Sequence, residues 1–326
     1  MLCVFGNEFR SVTTESPMLS PSPPSPPSPA APPPLRHHRQ PDVHAAPPPA
    51  PERPMHTRTL RVPGGTLTYD RHGDAGRPLV CVPGIGDLRS SFRDLAPRLV
   101  DAGFVVYVLD LRGHGDSDAT FSSYTCADIG DDIAALLVAE DLHDAVLIGN
   151  SIAGGAACRA AVLAPERVGA LVLLNPFVRD MPAEAWLRPM VPLLFARPWG
   201  AWAWGQYRKT LFGTIPADHA RHEPGVIAKM GEPARLAAMR AMLRASKADI
   251  AARLGELTVP ALVVMGADDP DYPDPAAEGE ALRGLLGGPT EVALLAEAGH
   301  YPQVERPDET AALVRDFLGR EAAHGA

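Results

Sequence analysis

The chain is expected to fold as an α/β protein, with a doubly wound, mostly parallel sheet and a helical segment inserted between two of its strands. Short, continuous apolar runs rich in β-branched residues recur along it, and strands buried on both faces of a parallel sheet read this way. The stretches between those runs are helix-like, so strand and helix alternate. One block, residues 176–256, holds no convincing strand and breaks the alternation.

The first 54 residues stand apart. Nearly half of the 36 prolines fall there, in text such as Pro21-Ser22-Pro23-Pro24-Ser25-Pro26-Pro27. A stretch of Pro, Ser, Ala and His cannot bury an apolar face, so residues 1–54 are expected to form a disordered or polyproline II tail. The chain is rich in Arg and Ala but holds only Lys209, Lys229 and Lys247 as lysines. That bias suggests GC-rich coding, in which an overlong start is easily assigned. Translation is therefore expected to begin at Met55, where His56 to Val62 already reads as a strand.

From there the elements follow in order. Residues 58–62 and 66–70 form a hairpin through Pro63-Gly64-Gly65. Strands are expected at Leu79–Val82, Val105–Leu109, Ala145–Ile148, Leu171–Leu174, Leu262–Met265 and Val292–Leu295. Helices are expected near 90–102, 126–140, 152–164, 276–286 and 307–320. The sheet core then comprises 55–175 and 257–326, and 176–256 reads as a helical lid. The lid opens with proline-punctuated apolar text and ends in one long helix, Ala234 to Leu254. All four tryptophans (Trp186, Trp199, Trp202 and Trp204) fall inside it. They would line an apolar substrate pocket or form the lid's own small core.

Charge and composition exclude several function classes. A formal net charge of −9 leaves no basic footprint for nucleic acid. No apolar stretch reaches the ~20 residues of a membrane helix, and the N-terminus lacks a secretory pattern. Cys3, Cys81, Cys126 and Cys158 are scattered, which suits reduced packing thiols in a cytosolic protein better than disulfides or a metal site. The partner is expected to be a small molecule, and oligomeric state is not legible.

The most informative segment is Gly149-Asn150-Ser151-Ile152-Ala153-Gly154, between an apolar strand and an Ala-rich helix. A serine flanked by small residues at −2 and +2 describes a nucleophile elbow. The sharp turn aims the hydroxyl outward and sets the next amide at a helix N-terminus, where developing negative charge is stabilised. Such a serine needs a base, and the base needs an orienting acid. Gly266-Ala267-Asp268-Asp269 supplies acids past one later strand, and Gly299-His300 supplies a histidine past the last. In a parallel sheet these strand ends share one edge.

Together these motifs make the chain resemble the α/β-hydrolase family over roughly residues 57–321. Val82-Pro83-Gly84-Ile85-Gly86 is similar to its oxyanion loop, with Pro83 where many members carry histidine. Asp110-Leu111-Arg112-Gly113-His114-Gly115-Asp116-Ser117 matches its Asp-x-Arg-Gly-x-Gly-x-Ser loop, and Glu305 and Pro307 follow His300 as in that family. The resemblance implies Ser151 as nucleophile, His300 as general base and then acid, and Asp269, rather than Asp268, as the orienting acid. It implies an oxyanion hole from the backbone amides of Ile85 and Ile152, with no cofactor and no metal. Other polar residues take plainer roles: turn geometry and a loop-holding ion pair for Arg112 and His114, solvated loop charges for Asp87, Arg89, Asp271 and Asp274.

The expected activity is hydrolysis of an ester-like carbonyl through an acyl-enzyme. A second expectation is carbon–carbon bond hydrolysis, because Gly149-Asn150-Ser151 is similar to the elbow of the meta-cleavage product hydrolases. Tyr301 and Pro302 depart from the tryptophan those enzymes place after the histidine. A third is a ligand receptor that kept the fold without the chemistry.

Overall fold

The computed structural model describes residues 55–324. The proline-rich tail, with Cys3, lies outside the described residues. Eight strands form one sheet: β1 (Met55–Val62), β2 (Gly65–His72), β3 (Pro78–Val82), β4 (Val105–Leu109), β5 (Ala145–Asn150), β6 (Val168–Leu174), β7 (Ala261–Gly266) and β8 (Thr290–Leu295). Their order is β1-β2-β4-β3-β5-β6-β7-β8. The opening hairpin pairs Met55 with His72 and Val62 with Gly65, and turns at Gly64, whose φ of +92° suits glycine. β2 runs antiparallel to both β1 and β4, and the remaining neighbours are parallel.

The continuous apolar runs are explained by two cores, one on each face. Val80, Val82, Leu147, Leu171, Leu173 and Val263 point into one, while Leu79, Cys81, Val146, Ile148, Val172 and Val264 point into the other. Successive residues of a strand alternate in direction, so a strand covered on both sides must be apolar at every position. Each such side chain contributes about 1.5–3 kcal/mol on burial. Helix α1 (Leu95–Asp101) covers the second face together with the C-terminal helix. Helices α2 (Cys126–Ala139) and α3 (Ile152–Leu163) cover the first. Helix α2 starts at a capping box: Thr125 Oγ1 accepts from the Asp128 amide at 3.1 Å and Asp128 Oδ2 accepts from the Thr125 amide at 2.7 Å.

Between β6 and β7 the chain leaves the sheet and forms only helices: α4 (Pro182–Leu187), α5 (Val191–Leu194), α6 (Gly200–Thr210), α7 (His219–Met230), α8 (Pro233–Arg244), α9 (Ala248–Ala251) and a 3-10 turn at Leu254–Glu256. Val191, Phe195, Trp204, Met230, Leu236 and Met239 give this insertion its own small core. The single long helix expected from Ala234 to Leu254 is broken. Ala245 takes an extended ψ of 142°, and Asp180 accepts from the Lys247 amide at 2.7 Å and from the Ser246 hydroxyl. Asp180 lies 67 residues before Lys247, so a tertiary contact overrides local helix propensity here.

The chain returns through α10 (Pro275–Leu285), α11 (Pro302–Glu305) and α12 (Pro307–His324). Strand β8 corrects the expectation that every run is buried on both faces. It is an edge strand paired only with β7, and Leu294 is 53% exposed. No helix among the described residues is long and apolar enough to cross a membrane.

The winding reverses at β3, because β4 lies on one side of it and β5 on the other. Loops leaving the C-terminal ends of β3 and β5 therefore flank a crevice, the place where open α/β sheets bind ligands.

Candidate active site

Ser151 occupies the turn from β5 into α3 with φ 58° and ψ −124°, a region costly for any residue with a Cβ. The surroundings hold it there. The Ser151 amide donates to Leu174 O at 3.0 Å, and its carbonyl accepts from the amides of Gly154 at 3.0 Å and Phe177 at 2.9 Å. The small flanking residues are sterically required. A Cβ on Gly149 would stand 2.3 Å from the Ala153 carbonyl oxygen, and one on Gly154 would stand 2.4 Å from Pro176 Cβ.

Gly84, after β3, approaches from the other side, where a Cβ would lie 2.9 Å from Ser151 Cβ. The Ile85 amide follows it. Ile152 is the first residue of α3, so its N–H has no acceptor within the helix and stands at the positive end of the helix dipole. His114 orients this loop. Its ring is fully buried, Nε2 accepts from the Gly86 amide at 2.9 Å, and Nδ1 lies 3.1 Å from the Arg112 carbonyl. Burial pulls the His114 pKa down to about 4, so the ring is neutral and can accept. The Gly86 carbonyl accepts from Trp204 Nε1 at 3.1 Å, with Arg208 Nη1 at 3.4 Å.

Past β7 and β8 the acid and base meet. His300 Nδ1 lies 2.7 Å from Asp269 Oδ2, and both side chains are buried. Asp268 points to solvent and Asp274 caps α10 through the Ala277 amide, so Asp269 alone of these three meets the ring. Asp271 corrects the reading of a solvated loop charge. Its Oδ2 stands 3.9 Å from His300 Nδ1 and its Oδ1 accepts from Tyr207 at 2.6 Å. Burial lowers the imidazole pKa, but the Asp269 carboxylate, helped by Asp271, outweighs it and holds His300 above the usual histidine value.

Four further side chains fix these loops, none given this role by sequence. Glu305 accepts from the amides of Gly213, Thr214 and Gly299 through Oε2 and from the Tyr301 amide through Oε1, at 2.8–3.0 Å. Asn175 accepts from the Gly266 amide and donates to Gly299 O, both at 2.8 Å. Asn150, beside the serine, donates to His300 O at 2.9 Å. Arg208, fully buried, bonds Glu223 at 2.6 and 3.1 Å and Tyr301 Oη at 3.2 Å. A Glu or Asn in a sequence carries no mark of such a role, although the proximity of Glu305 to His300 hinted at it.

Arg89 and Asp87 are likewise not solvated. Arg89 pairs with Asp70 at 2.7 Å, Asp116 at 2.9 Å and the buried Asp110. Asp87 is 1% exposed and lies 3.5 Å from Arg208. Arg112 does form the expected loop-holding pair, with Asp132 at 2.7 Å. Cys81, Cys126 and Cys158 are free and buried, and burial raises all three thiols. Asp269, Asp271 and His300 are the one group among the described residues with cation-like spacing. Their closest pair, at 2.7 Å, is tighter than the roughly 3.3 Å that two tetrahedral ligands ~2.0 Å from a zinc would keep.

A cavity of about 340 Å³ opens against this edge. Ser151, His300, Ile85 and Ile152 line it together with apolar side chains of the insertion such as Met181, Leu187 and Val191. Of the four tryptophans only Trp204 lines it. Trp186, Trp199 and Trp202 are 53%, 46% and 65% exposed and lie outside its lining, which corrects their assignment to the pocket. Trp202 sits on the outward side of α6, whose inward side buries Trp204.

This fold and these loop positions define an α/β-hydrolase architecture, and residues 79–313 match the model of the alpha/beta hydrolase family. The chain belongs to that family. The 2-hydroxy-6-oxononadienedioate/2-hydroxy-6-oxononatrienedioate hydrolase of Klebsiella pneumoniae is 29% identical over 282 residues, covering 81% of this chain and 96% of that one. The 2-hydroxy-6-oxo-6-phenylhexa-2,4-dienoate hydrolase of Comamonas testosteroni is 28% identical over 249 residues, covering 72% and 84%. Among solved structures, a thermophilic esterase from Thermogutta terrifontis superposes with a TM-score of 0.66 at 25% identity, covering 83% of this chain and 99% of that one.

Proposed function

We propose that the protein is a cytosolic serine hydrolase that cleaves an ester-type carbonyl bond in a small, largely apolar substrate through an acyl-enzyme. One observation carries this reading: the buried 2.7 Å contact between His300 and Asp269 lies beside the cavity that Ser151 lines. In the first step Ser151 Oγ passes its proton to His300 Nε2 as it adds to the carbonyl carbon. Asp269 accepts from Nδ1–H and stabilises the imidazolium. The amides of Ile85 and Ile152 hold the oxyanion, and a preorganised donor of this kind is worth ~3 kcal/mol. Collapse expels the alcohol, which takes the proton from His300. Water then gives a proton to His300 and adds to the acyl carbon, and the acid leaves as Ser151 recovers its proton. Helices α4–α9 act as the lid over this site, and neither metal nor cofactor takes part.

The test is a burst of p-nitrophenol from a short-chain ester, together with fluorophosphonate labelling. Both should be lost in Ser151→Ala, with turnover down at least about a thousandfold. Labelling that persists in Ser151→Ala would refute the assignment. Tight ligand binding that survives Ser151→Ala, with turnover in neither form, would favour a receptor.

Carbon–carbon bond hydrolysis is the second reading, favoured by the Gly149-Asn150-Ser151 elbow and by the names of the two relatives above. Loss of the absorbance of a 2-hydroxy-6-oxo-dienoate, faster than hydrolysis of any aryl ester, would support it over the ester reading.

A further inference from the structure

The cavity wall is mostly apolar, yet it includes one ionic cluster contributed by the insertion. Glu184, Arg188 and Lys247 all line it. Lys247 is only 6% exposed, and its ammonium stands 2.9 and 2.8 Å from the two Glu184 oxygens. The same ammonium lies 5.9 Å from the centroid of Phe177, and that ring lies 5.7 Å from the ring of His300. Lys247 is therefore separated from the proposed base by one aromatic side chain.

A buried ion pair is often no more stabilising than apolar side chains of the same volume, so stability alone is a poor reason for a lysine here. The hydrogen bonds that hold the join between α8 and α9 are also made without it. Asp180 bonds the Lys247 backbone amide, the Ser246 hydroxyl and the Arg188 guanidinium, and none of these uses the ammonium. The ammonium also stands 3.7 Å from Asp180 Oδ1, beyond hydrogen-bond reach, so of its three donors the two Glu184 oxygens leave one without a hydrogen-bonded acceptor.

Charge decides what that donor would meet. Lys247 and Arg188 offset Glu184 and Asp180, so the cluster is neutral as it stands. A substrate carboxylate would add uncompensated negative charge beside Glu184, and a substrate cation would compete with Lys247 for it. An uncharged oxygen acceptor needs only the spare N–H.

We infer that Lys247 is a specificity-determining residue whose ammonium receives a neutral oxygen acceptor, a ketone, ester or amide carbonyl, on the body of the substrate. This rests on the reading of Ser151 as nucleophile. The acceptor belongs to the acyl chain or to the alcohol, and the two arms of one experiment tell them apart.

The first arm compares kcat/KM for p-nitrophenyl octanoate with its mono-keto isomers, the oxygen walked along the chain. The second compares octyl acetate with the acetates of keto-octanols. In one arm a keto isomer should exceed its parent about tenfold, the worth of a charge-assisted hydrogen bond. Lys247→Met should reduce that preference, read as the ratio of keto isomer to parent within each protein, to about twofold or less. Lys247→Gln, which keeps an N–H donor, should retain part of it. A carboxylate-tipped chain should be a worse substrate than the plain one. If no keto isomer is preferred in either arm, or the preference survives in Lys247→Met, the inference is overturned. Titrating the parent and keto esters into Ser151→Ala and its Lys247→Met double variant separates the two readings. A keto preference in binding that needs Lys247, without ester turnover by the wild type, upholds the acceptor site and sinks the serine mechanism.

Discussion

At the scale of single residues, the side chains that aim the reacting groups form a larger set than those proposed to react. His114 is the clearest. Its neutral ring accepts the Gly86 amide and thereby sets the peptide that follows Ile85. Replacing it with Leu leaves a buried N–H without an acceptor, a cost of about 1–3 kcal/mol. His114→Leu should therefore lower kcat about ten- to a hundredfold with little change in KM, because only the orientation of the proposed oxyanion donor is disturbed. His114→Gln, whose amide oxygen can accept, should recover part of the loss. Steady-state kinetics on one aryl ester decides this. Equal loss in both variants, or a change confined to KM, would show that the loop keeps its shape without the bond. The strand-end positions of Ser151, Asp269 and His300, and the meeting of the last two, were legible because glycine-bearing turns follow these strands. His114 was legible as a loop-holding residue but not in its partner, and the roles of Asn150, Asn175, Glu305 and Asp271 were not legible, because their partners are backbone atoms or side chains of other loops, and no sequence spacing encodes those meetings.

At the scale of elements, the strands and most helices were readable for a physical reason. Burial on both faces demands unbroken apolar runs, and two helices carry side-chain caps, Thr125 for α2 and Asp274 for α10. The reading failed where tertiary bonds overrule local preference. Residues 234–254 have helical composition throughout, yet the chain bends at Ala245 because Asp180, far away in sequence, takes the Ser246 and Lys247 donors. Hydrogen bonds from Ser246 and Arg188 and the Lys247 amide hold Asp180 at a pKa of about 2 although burial opposes it. Asp180→Ala should release this junction. The expected result is a lower Tm and faster amide exchange confined to α4 and to residues 244–252, with the sheet unaffected. Exchange that quickens equally in β5 and β6 would contradict the view that Asp180 acts locally. The edge strand β8 makes the converse point. Its apolar text is the same as that of a central strand, and only the count of neighbours distinguishes them.

At the scale of the molecule, loops from β3, β5, β7 and β8 meet because all four strands end on one edge, and the site inherits an electrostatic field from that convergence. Asp269 and Asp271 raise the His300 pKa, whereas the general base proposed for it must be neutral. kcat/KM should thus rise with pH along an acid limb whose midpoint lies above the ~6.5 of a free histidine. Asp271→Asn removes one of the raising charges and should move that limb to lower pH while turnover at its plateau persists. A limb that does not move would show that Asp271 is not sensed by the ring.

Stability carries the opposite signature for the other buried histidine. The His300 pKa is raised on folding, so its pairing stabilises at low pH and that contribution fades as pH rises through the folded value. The His114 pKa is lowered to about 4, so as pH falls below ~6.5 the unfolded chain takes a proton that the folded ring refuses. Stability from a neutral His114 is then lost progressively between about pH 6.5 and 4, up to ~3 kcal/mol at 1.36 kcal/mol per pKa unit. His114→Gln cannot take that proton in either state. Urea unfolding of both proteins at pH 7 and pH 4.5 should show the wild type's advantage shrinking as the pH drops. An advantage that is unchanged or wider at pH 4.5 would mean that the ring at 114 is already protonated when folded, and therefore that it does not accept the Gly86 amide.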